Sequence, residues 1–102
     1  MKKVKLPKKI NVMGRSIKIR VVELNPDTDG RYVPTEKTIY IRKDQPDGDV
    51  INTLVHELFH VVIERVGLYD DLGIAIEHVL VNSFANFITE NFDIKIKDKP
   101  GD

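Results

Sequence analysis

The sequence contains no cysteine, and this absence limits the kinds of site that the protein can build. A disulfide framework is excluded, and so is a zinc site made of thiolates. Any metal ion must therefore be held by histidine and carboxylate side chains.

Long apolar runs and net charge are also missing. No segment approaches the roughly 18 apolar residues that a membrane-spanning helix needs, and the N-terminus lacks the apolar stretch of a signal peptide. We therefore expect a cytoplasmic protein. Sixteen basic and sixteen acidic residues cancel, so no overall field would attract nucleic acid or a membrane. The basic run at residues 1–9 could be a nucleic-acid arm, although a solvated strand edge is its commoner role.

What is present is the composition of one folded domain. Of the 102 residues, 41% are hydrophobic and 31% are charged, which is typical of a globular protein with a modest core. No repeat or low-complexity linker divides the chain, so residues 1–102 are predicted to form a single domain. Its predicted class is α+β, with a sheet first and a helical hairpin second.

The first half of the chain alternates between apolar and polar residues, which predicts strands. The four segments are 10–13, 16–23, 31–33 and 38–42. A tight turn at Gly14-Arg15 would join the first two, and turn-forming residues at 25–30 precede the third. We expect an antiparallel sheet of three to four strands. The tail, 92–97, alternates again and would add a short strand.

The second half predicts two helices. The first should run from about Val50 to Val66, with Asp47 or Asp49 as N-cap and Gly67 as a left-handed C-cap. The second should begin between residues 70 and 74, with Asp70 or Asp71 as cap, and end near Asn91. Because a short connection joins them, the two helices should pack antiparallel.

The motif His56-Glu57-Leu58-Phe59-His60 lies in the first of these helices. On a helix, His56 and His60 are about 40° apart and one turn along the axis, so both imidazoles can reach one metal ion. Glu57 points about 100° away from His56, which leaves its carboxylate beside the ion. There it can take a proton from a water molecule that the metal activates. The pattern predicts a zinc site with Glu57 as general base.

A peptidase-type zinc site needs a third protein ligand, and the second helix offers Glu77 and His78. Glu77 shares its face with three apolar residues, Val81, Phe84 and Ile88, so it needs a buried partner. Zinc is the partner we favour, and the antiparallel return brings Glu77 to the height of His60. The alternatives are His78 as the ligand, an ion pair between Glu77 and a basic residue such as Arg65, or exposure of Glu77 to solvent through a kink at Gly73.

Further side chains are candidates for supporting roles around the zinc site. Three residues on the first helix could orient the imidazoles: Asn52, Thr53 and Glu64. Four residues could donate a hydrogen bond to an oxyanion: Tyr32, Tyr40, Tyr69 and His78. Sequence spacing does not rank these donors, and a buried position in the core is the commoner role for each tyrosine.

The segment 53–62, together with the strand at 38–41, resembles the active-site region of compact zincins. The similarity is to ImmA/IrrE-like and SprT-like metallopeptidases, and to short proteins of this kind from phages and prophages. It covers roughly residues 30–90. The resemblance implies that His56, His60 and Glu77 bind zinc and that Glu57 is the general base. It also implies that the strand at 38–42 pairs with an extended peptide substrate.

Three functions are consistent with these residues. The leading prediction is a zinc-dependent peptidase that uses metal-activated water. The second is a catalytically silent zinc-stabilised binding or regulatory module of phage type, because no second lobe is evident to form a substrate cleft. The third is a metal-free interaction domain. Glu57 favours the first, since a purely structural zinc site has no need of that carboxylate.

Overall fold

In the computed structural model of this protein, residues 5–95 are described. They have the expected α+β class, with a sheet followed by helices. The strands are β1 (Lys9–Val12), β2 (Arg15–Val22), β3 (Gly30–Val33) and β4 (Thr38–Arg42). The helices are α1 (Asp47–Arg65), α2 (Tyr69–Leu72) and α3 (Ile74–Asn91), and a short 3-10 turn spans Pro34–Glu36.

The four strands form one mixed sheet in the order β1-β2-β4-β3. β1 pairs with β2 and β3 pairs with β4 in antiparallel fashion, but β2 and β4 run parallel. The fully antiparallel sheet predicted from the sequence is therefore only partly right. β4 carries Thr38, Ile39 and Ile41, all buried, so it takes a central place, whereas the more polar β3 lies at the edge.

The β1–β2 hairpin closes one residue earlier than predicted. Met13 and Gly14 form its two-residue turn, both with positive φ, at 50° and 87°. This is the backbone twist that matches a tight hairpin. Arg15, expected in the turn, is instead the first residue of β2.

The core lies between the sheet and α1. Ile17, Ile19, Ile39 and Ile41 point from the sheet towards α1 and are nearly or fully buried. From α1, the residues Val50, Leu54 and Val61 complete this cluster. α3 packs on α1 through its buried Val81 and Ala85, so α1 is covered by β-strands and by a helix. That explains why α1 is apolar around most of its circumference.

The ends of α1 agree partly with prediction. The helix begins at Asp47, three residues earlier than expected, and Pro46 precedes it without a capping side chain. Asp47 and Asp49 lie inside the first turn, where negative charge suits the helix dipole. At the other end Gly67 has a φ of 76°, as predicted. Backbone bonds from Gly67 to Glu64 and from Leu68 to Ile63 complete a Schellman motif.

The second predicted helix is interrupted. Gly73, with a φ of 76° and a ψ of 154°, separates α2 from α3. Asp70 and Asp71 therefore lie within α2 and do not cap α3. α3 ends at Asn91, as predicted, and residues 92–95 form no strand. The remainder of the predicted tail strand, 96–97, lies outside the described residues.

None of the helices in residues 5–95 is both long enough and apolar enough to cross a membrane.

Candidate metal centre

His56 and His60 lie on the side of α1 that faces β3 and α3, one turn apart. Their Nε2 atoms are 3.2 Å from each other, and the ring centroids are 4.9 Å apart. Both side chains are largely buried, with 22% and 15% of their surface exposed. The helical spacing of the motif therefore does bring the two imidazoles to one point.

Glu77 lies on α3 and contacts His60 from the other side of its ring. Its carboxylate meets Nδ1 of His60, and its side chain is largely buried. The antiparallel return predicted from the sequence thus brings Glu77 to the height of His60. The ion pair weighed as an alternative is absent from the described residues, because Arg65 donates to the backbone carbonyl of Met13.

Of the apolar residues predicted to share a buried face with Glu77, only some are buried. Val81 is buried and Ile88 is half-buried on the same side of α3, but Phe84 is 50% exposed. Phe84 lies against Phe59, with ring centroids 5.7 Å apart, at the border of the α1–α3 contact. The prediction that Phe84 lies on the buried face is wrong, because helical periodicity does not indicate how far a neighbouring helix extends.

His78 lies next to the same two histidines. Its ring centroid is 5.2 Å from that of His60. Burial lowers the pKa of His56 below its usual range, and the nearby His60 and His78 act in the same direction. An interaction with the Asn82 side chain acts in the opposite direction. The neutral imidazole is therefore favoured at His56, and this is the form that binds metal ions.

Glu57 is the most buried charged residue of the motif. Only 7% of its surface is exposed, and its Oε2 lies 3.9 Å from Nε2 of His56. Burial raises the pKa of Glu57 to about 7, against a smaller opposing effect of the Tyr32 backbone N–H. A carboxyl group with that pKa exchanges protons readily near neutral pH.

The nitrogen geometry can be compared with that of a bound zinc ion. Two imidazole nitrogens on one tetrahedral zinc ion, each at about 2.05 Å, would be about 3.3 Å apart. The observed 3.2 Å agrees with this value. When the Nδ1–H of His60 donates to Glu77, its Nε2 carries a lone pair that points at His56, and a cation between the rings would satisfy both nitrogens.

The third ligand is less well placed than the first two. Among residues 5–95, no three His, Asp or Glu side chains converge on one point as a complete metal-binding group. The reason is that the Glu77 carboxylate sits at Nδ1 of His60, whereas the two converging atoms are both Nε2. The chemistry of the donor set fits zinc, and Glu77 and His78 both lie beside the histidine pair.

An open cavity of about 530 Å³ lies over these groups, between β3, α1 and α3. His56, Glu57, His60, Glu77 and His78 all line it. A second cavity, of about 300 Å³, adjoins it on the other side of His56 and Glu57, against the loop between β2 and β3. Glu57 therefore borders both cavities, where small molecules and water can reach it.

The supporting residues predicted on α1 have other partners. Asn52 donates to Asn86 and Thr89 of α3, and Thr53 donates to Gln45, so neither orients an imidazole. Their polar groups tie α1 to α3 and to the segment that precedes α1. The residue that does approach His56 is Asn82, which the sequence reading missed although it lies one turn after His78.

Of the tyrosines, Tyr32 is the one that the structure brings to the cavity. Its hydroxyl donates to Glu64 at 2.9 Å, and Arg15 contacts the same carboxylate at 3.4 Å. Burial and the Glu64 carboxylate raise the pKa of the Tyr32 hydroxyl above its usual 10.0. Tyr40 instead contacts Glu36 and lies beside Arg31. The side chain of Tyr69 is outside the described part of the chain.

Gly30 is a second residue that sequence reasoning missed, because it was counted among turn formers. It is the first residue of β3, and a Cβ there would lie 2.5 Å from Cγ2 of Thr53 and 3.1 Å from the backbone oxygen of Tyr40. Only a residue without a side chain lets β3 approach α1 this closely. The signal in the sequence is a glycine at the start of a strand beside the motif helix.

Comparison with known proteins adds no relative: no family model, no curated protein and no solved structure matches this chain.

Proposed function

We propose that this protein is a zinc-dependent metallopeptidase in which His56, His60 and Glu77 hold the ion and Glu57 is the general base. The observation that carries the proposal is the convergence of two imidazole Nε2 atoms, 3.2 Å apart, beside a buried carboxylate in an open cavity. A zinc ion bound there would polarise the substrate carbonyl and lower the pKa of water. The proposal retains the cytoplasmic location predicted from the sequence.

The roles of the protein groups follow from their positions. His56 and His60 each offer an Nε2 lone pair, and Glu77 offers negative charge that offsets the charge of the cation. Glu57 accepts the proton of the attacking water at its carboxylate and returns it to the leaving amine. Its burial, which raises its pKa to about 7, suits both halves of this transfer.

Tyr32 is the best-placed donor for the oxyanion that forms when water attacks a peptide carbonyl. It lines the cavity, and Glu64 accepts the hydrogen bond of its hydroxyl. Glu64 and Arg15 hold that hydroxyl in position before a substrate arrives. Rotation of the phenol towards the cavity would transfer its hydrogen bond from Glu64 to the substrate oxygen.

The strand that would receive an extended peptide is β3, not the predicted strand 38–42. That strand, β4, is hydrogen-bonded to β2 on one side and to β3 on the other, so it has no free edge. β3 is the edge strand beside the cavity, which is lined by Gly30, Arg31 and Tyr32. A substrate added to β3 would lie across the histidine pair.

The test is a comparison of zinc content and peptide cleavage among matched variants. Zinc is measured by mass spectrometry, and cleavage is measured on a peptide library derived from a digested proteome. We expect one zinc per chain, with Glu57→Gln retaining the metal and losing cleavage by a factor of at least about 100. Glu23→Gln, a change at an exposed surface position, serves as the control and should leave both unchanged.

Each other outcome has a defined meaning. Wild-type protein that holds no zinc would exclude the proposed centre. Cleavage that persists undiminished in Glu57→Gln would exclude the proposed base. A protein that holds one zinc per chain and cleaves nothing in the library would be the catalytically silent binding module, the second function considered from the sequence.

A further inference from the structure

On the outer face of α3, most of which is turned away from α1, large apolar side chains are exposed to solvent. We define this outer face by five residues: Ile76, Val79, Leu80, Phe84 and Phe87. Between 37% and 64% of the surface of each is exposed. They follow one another at helical spacing and occupy one side of the helix. Among the described residues, Phe59 lies against Phe84 at the border with α1 and Phe92 lies against Phe87, and large parts of all five side chains stay exposed.

The outer face is large for a protein of this size. Phe92 extends it at the C-terminal end, with 58% of its surface exposed, and forms an edge-on pair with Phe87. Taking on the order of 200 Å² for a large apolar side chain, the exposed parts amount to roughly 500 to 650 Å². Patches of about 300 to 600 Å² are the largest that monomers usually expose, and a stable complex buries about 800 Å² on each partner.

The outer face provides almost nothing that a charged or polar partner could recognise. Ser83 is the small polar residue at its centre, and Glu90 in the last turn is its one charged residue. A partner therefore needs an apolar, nearly uncharged helical surface of about the same length. The outer face of a second α3 has these properties.

The positions of Ser83 and Glu90 favour one arrangement of two such helices. Ser83 stands at the middle of the range 74–91, where a small side chain lets two helices cross closely. In a parallel pair the two Glu90 carboxylates would lie side by side. In an antiparallel pair they lie at opposite ends, each close to the positive N-terminal end of the partner helix.

We infer that two copies of this chain associate through the outer face of α3, antiparallel, about a two-fold axis near Ser83. The same five residues then serve both partners, as an isologous interface requires. This association does not depend on zinc or on catalysis, because the outer face points away from His56 and His60.

The first test is the mass of the full-length protein in solution, measured by sedimentation equilibrium over a range of concentrations. Wild type is expected at twice the mass of one chain. Phe87→Glu places a charge in the interface and is expected to return the mass to that of one chain, since burying an unpaired carboxylate is costly. Met13→Glu makes a similar change at a residue that is 57% exposed in the β1–β2 turn, and should leave the dimer intact.

The second test uses the absence of cysteine from the sequence. Ser83→Cys introduces a single thiol at the proposed axis, where two copies come within the Cα separation of about 4.4 to 6.8 Å that a disulfide allows. Mild oxidation should convert most of this variant to a linked dimer. Ser16→Cys, at an exposed position of β2, should link at least about tenfold more slowly, as expected for random collisions.

The inference is overturned by either of two results. One is a wild-type protein that stays monomeric while Ser83→Cys links no faster than Ser16→Cys, which would leave the outer face for a different partner. The other is an association that Phe87→Glu does not weaken. Circular dichroism of Phe87→Glu checks that the fold is retained, and because Phe87 is 56% exposed, the change leaves the core untouched.

Discussion

The carboxylate of Glu77 contacts Nδ1 of His60, whereas Nε2 of the same ring faces His56. A carboxylate at Nδ1 orients a metal-binding histidine and fixes its tautomer. A carboxylate that binds the ion itself must reach past the ring to the side of Nε2. The position of the Glu77 carboxylate relative to these two ring nitrogens therefore decides whether Glu77 or His78 completes the zinc site.

The variants Glu77→Gln and His78→Ala separate these roles. As the third ligand, Glu77 should matter more, and we expect Glu77→Gln to weaken zinc binding by more than about 100-fold. Loss of a purely orienting partner costs about 10- to 100-fold. His78→Ala should change the affinity by less than about tenfold. Competition with a chromogenic zinc chelator measures both values, and the reverse ranking would make His78 the ligand.

At the scale of elements, the site depends on how closely β3 approaches α1. The backbone of β3 passes beside Thr53 and Glu57 at Gly30, and the same strand carries Tyr32 to the cavity. A shift of β3 away from α1 would enlarge the cavity and remove the Tyr32 backbone N–H from Glu57. The fit between this strand and helix therefore sets the environment of the proposed base.

Gly30→Ala tests that fit. The added Cβ would overlap Thr53 and press on the backbone oxygen of Tyr40, so β3 must move, at an expected cost of about 1 to 3 kcal/mol in the free energy of unfolding. Gly48→Ala is the matched control, since nothing lies within 4 Å of a Cβ built there. That change, in the first turn of α1, should be neutral or stabilising by up to about 1 kcal/mol. Urea unfolding curves give both values, and equal stability of the two variants would contradict the close approach.

At the scale of the whole molecule, the proposed zinc site joins two elements that are distant in sequence. His56 and His60 belong to α1, and Glu77 belongs to α3, which packs on α1 beyond the turn at Gly67 and the short α2. A ligand that binds only the folded protein stabilises it in proportion to the logarithm of its concentration. Zinc should thus hold α3 on α1.

Removal of the metal by a strong chelator is expected to lower the thermal midpoint of the wild-type protein by on the order of 10 °C. The double variant His56→Ala, His60→Ala should show no change with the chelator, because it lacks the two converging nitrogens. Differential scanning calorimetry with and without chelator makes the comparison. A wild-type midpoint that does not respond would mean that no folded-state metal site contributes to stability.

The sequence by itself determined the features that depend on local rules. Helical spacing brings His56 and His60 to one point, Gly67 takes the left-handed conformation just after α1, and the antiparallel return brings Glu77 to the height of His60. The α+β class follows from alternation in the first half and helical patterning in the second. Each of these follows from backbone geometry over a few turns or strands, which neighbouring residues specify.

Only the tertiary structure decided which segments meet. The parallel pairing of β2 with β4 left β3 as the edge strand beside the cavity, because alternation identifies the buried face of a strand but not its neighbours. The contact of Glu77 with Nδ1 of His60 depends on the docking of two helices. The need for glycine at position 30 and the exposure of the outer face of α3 also arise from packing between elements, which local periodicity does not encode.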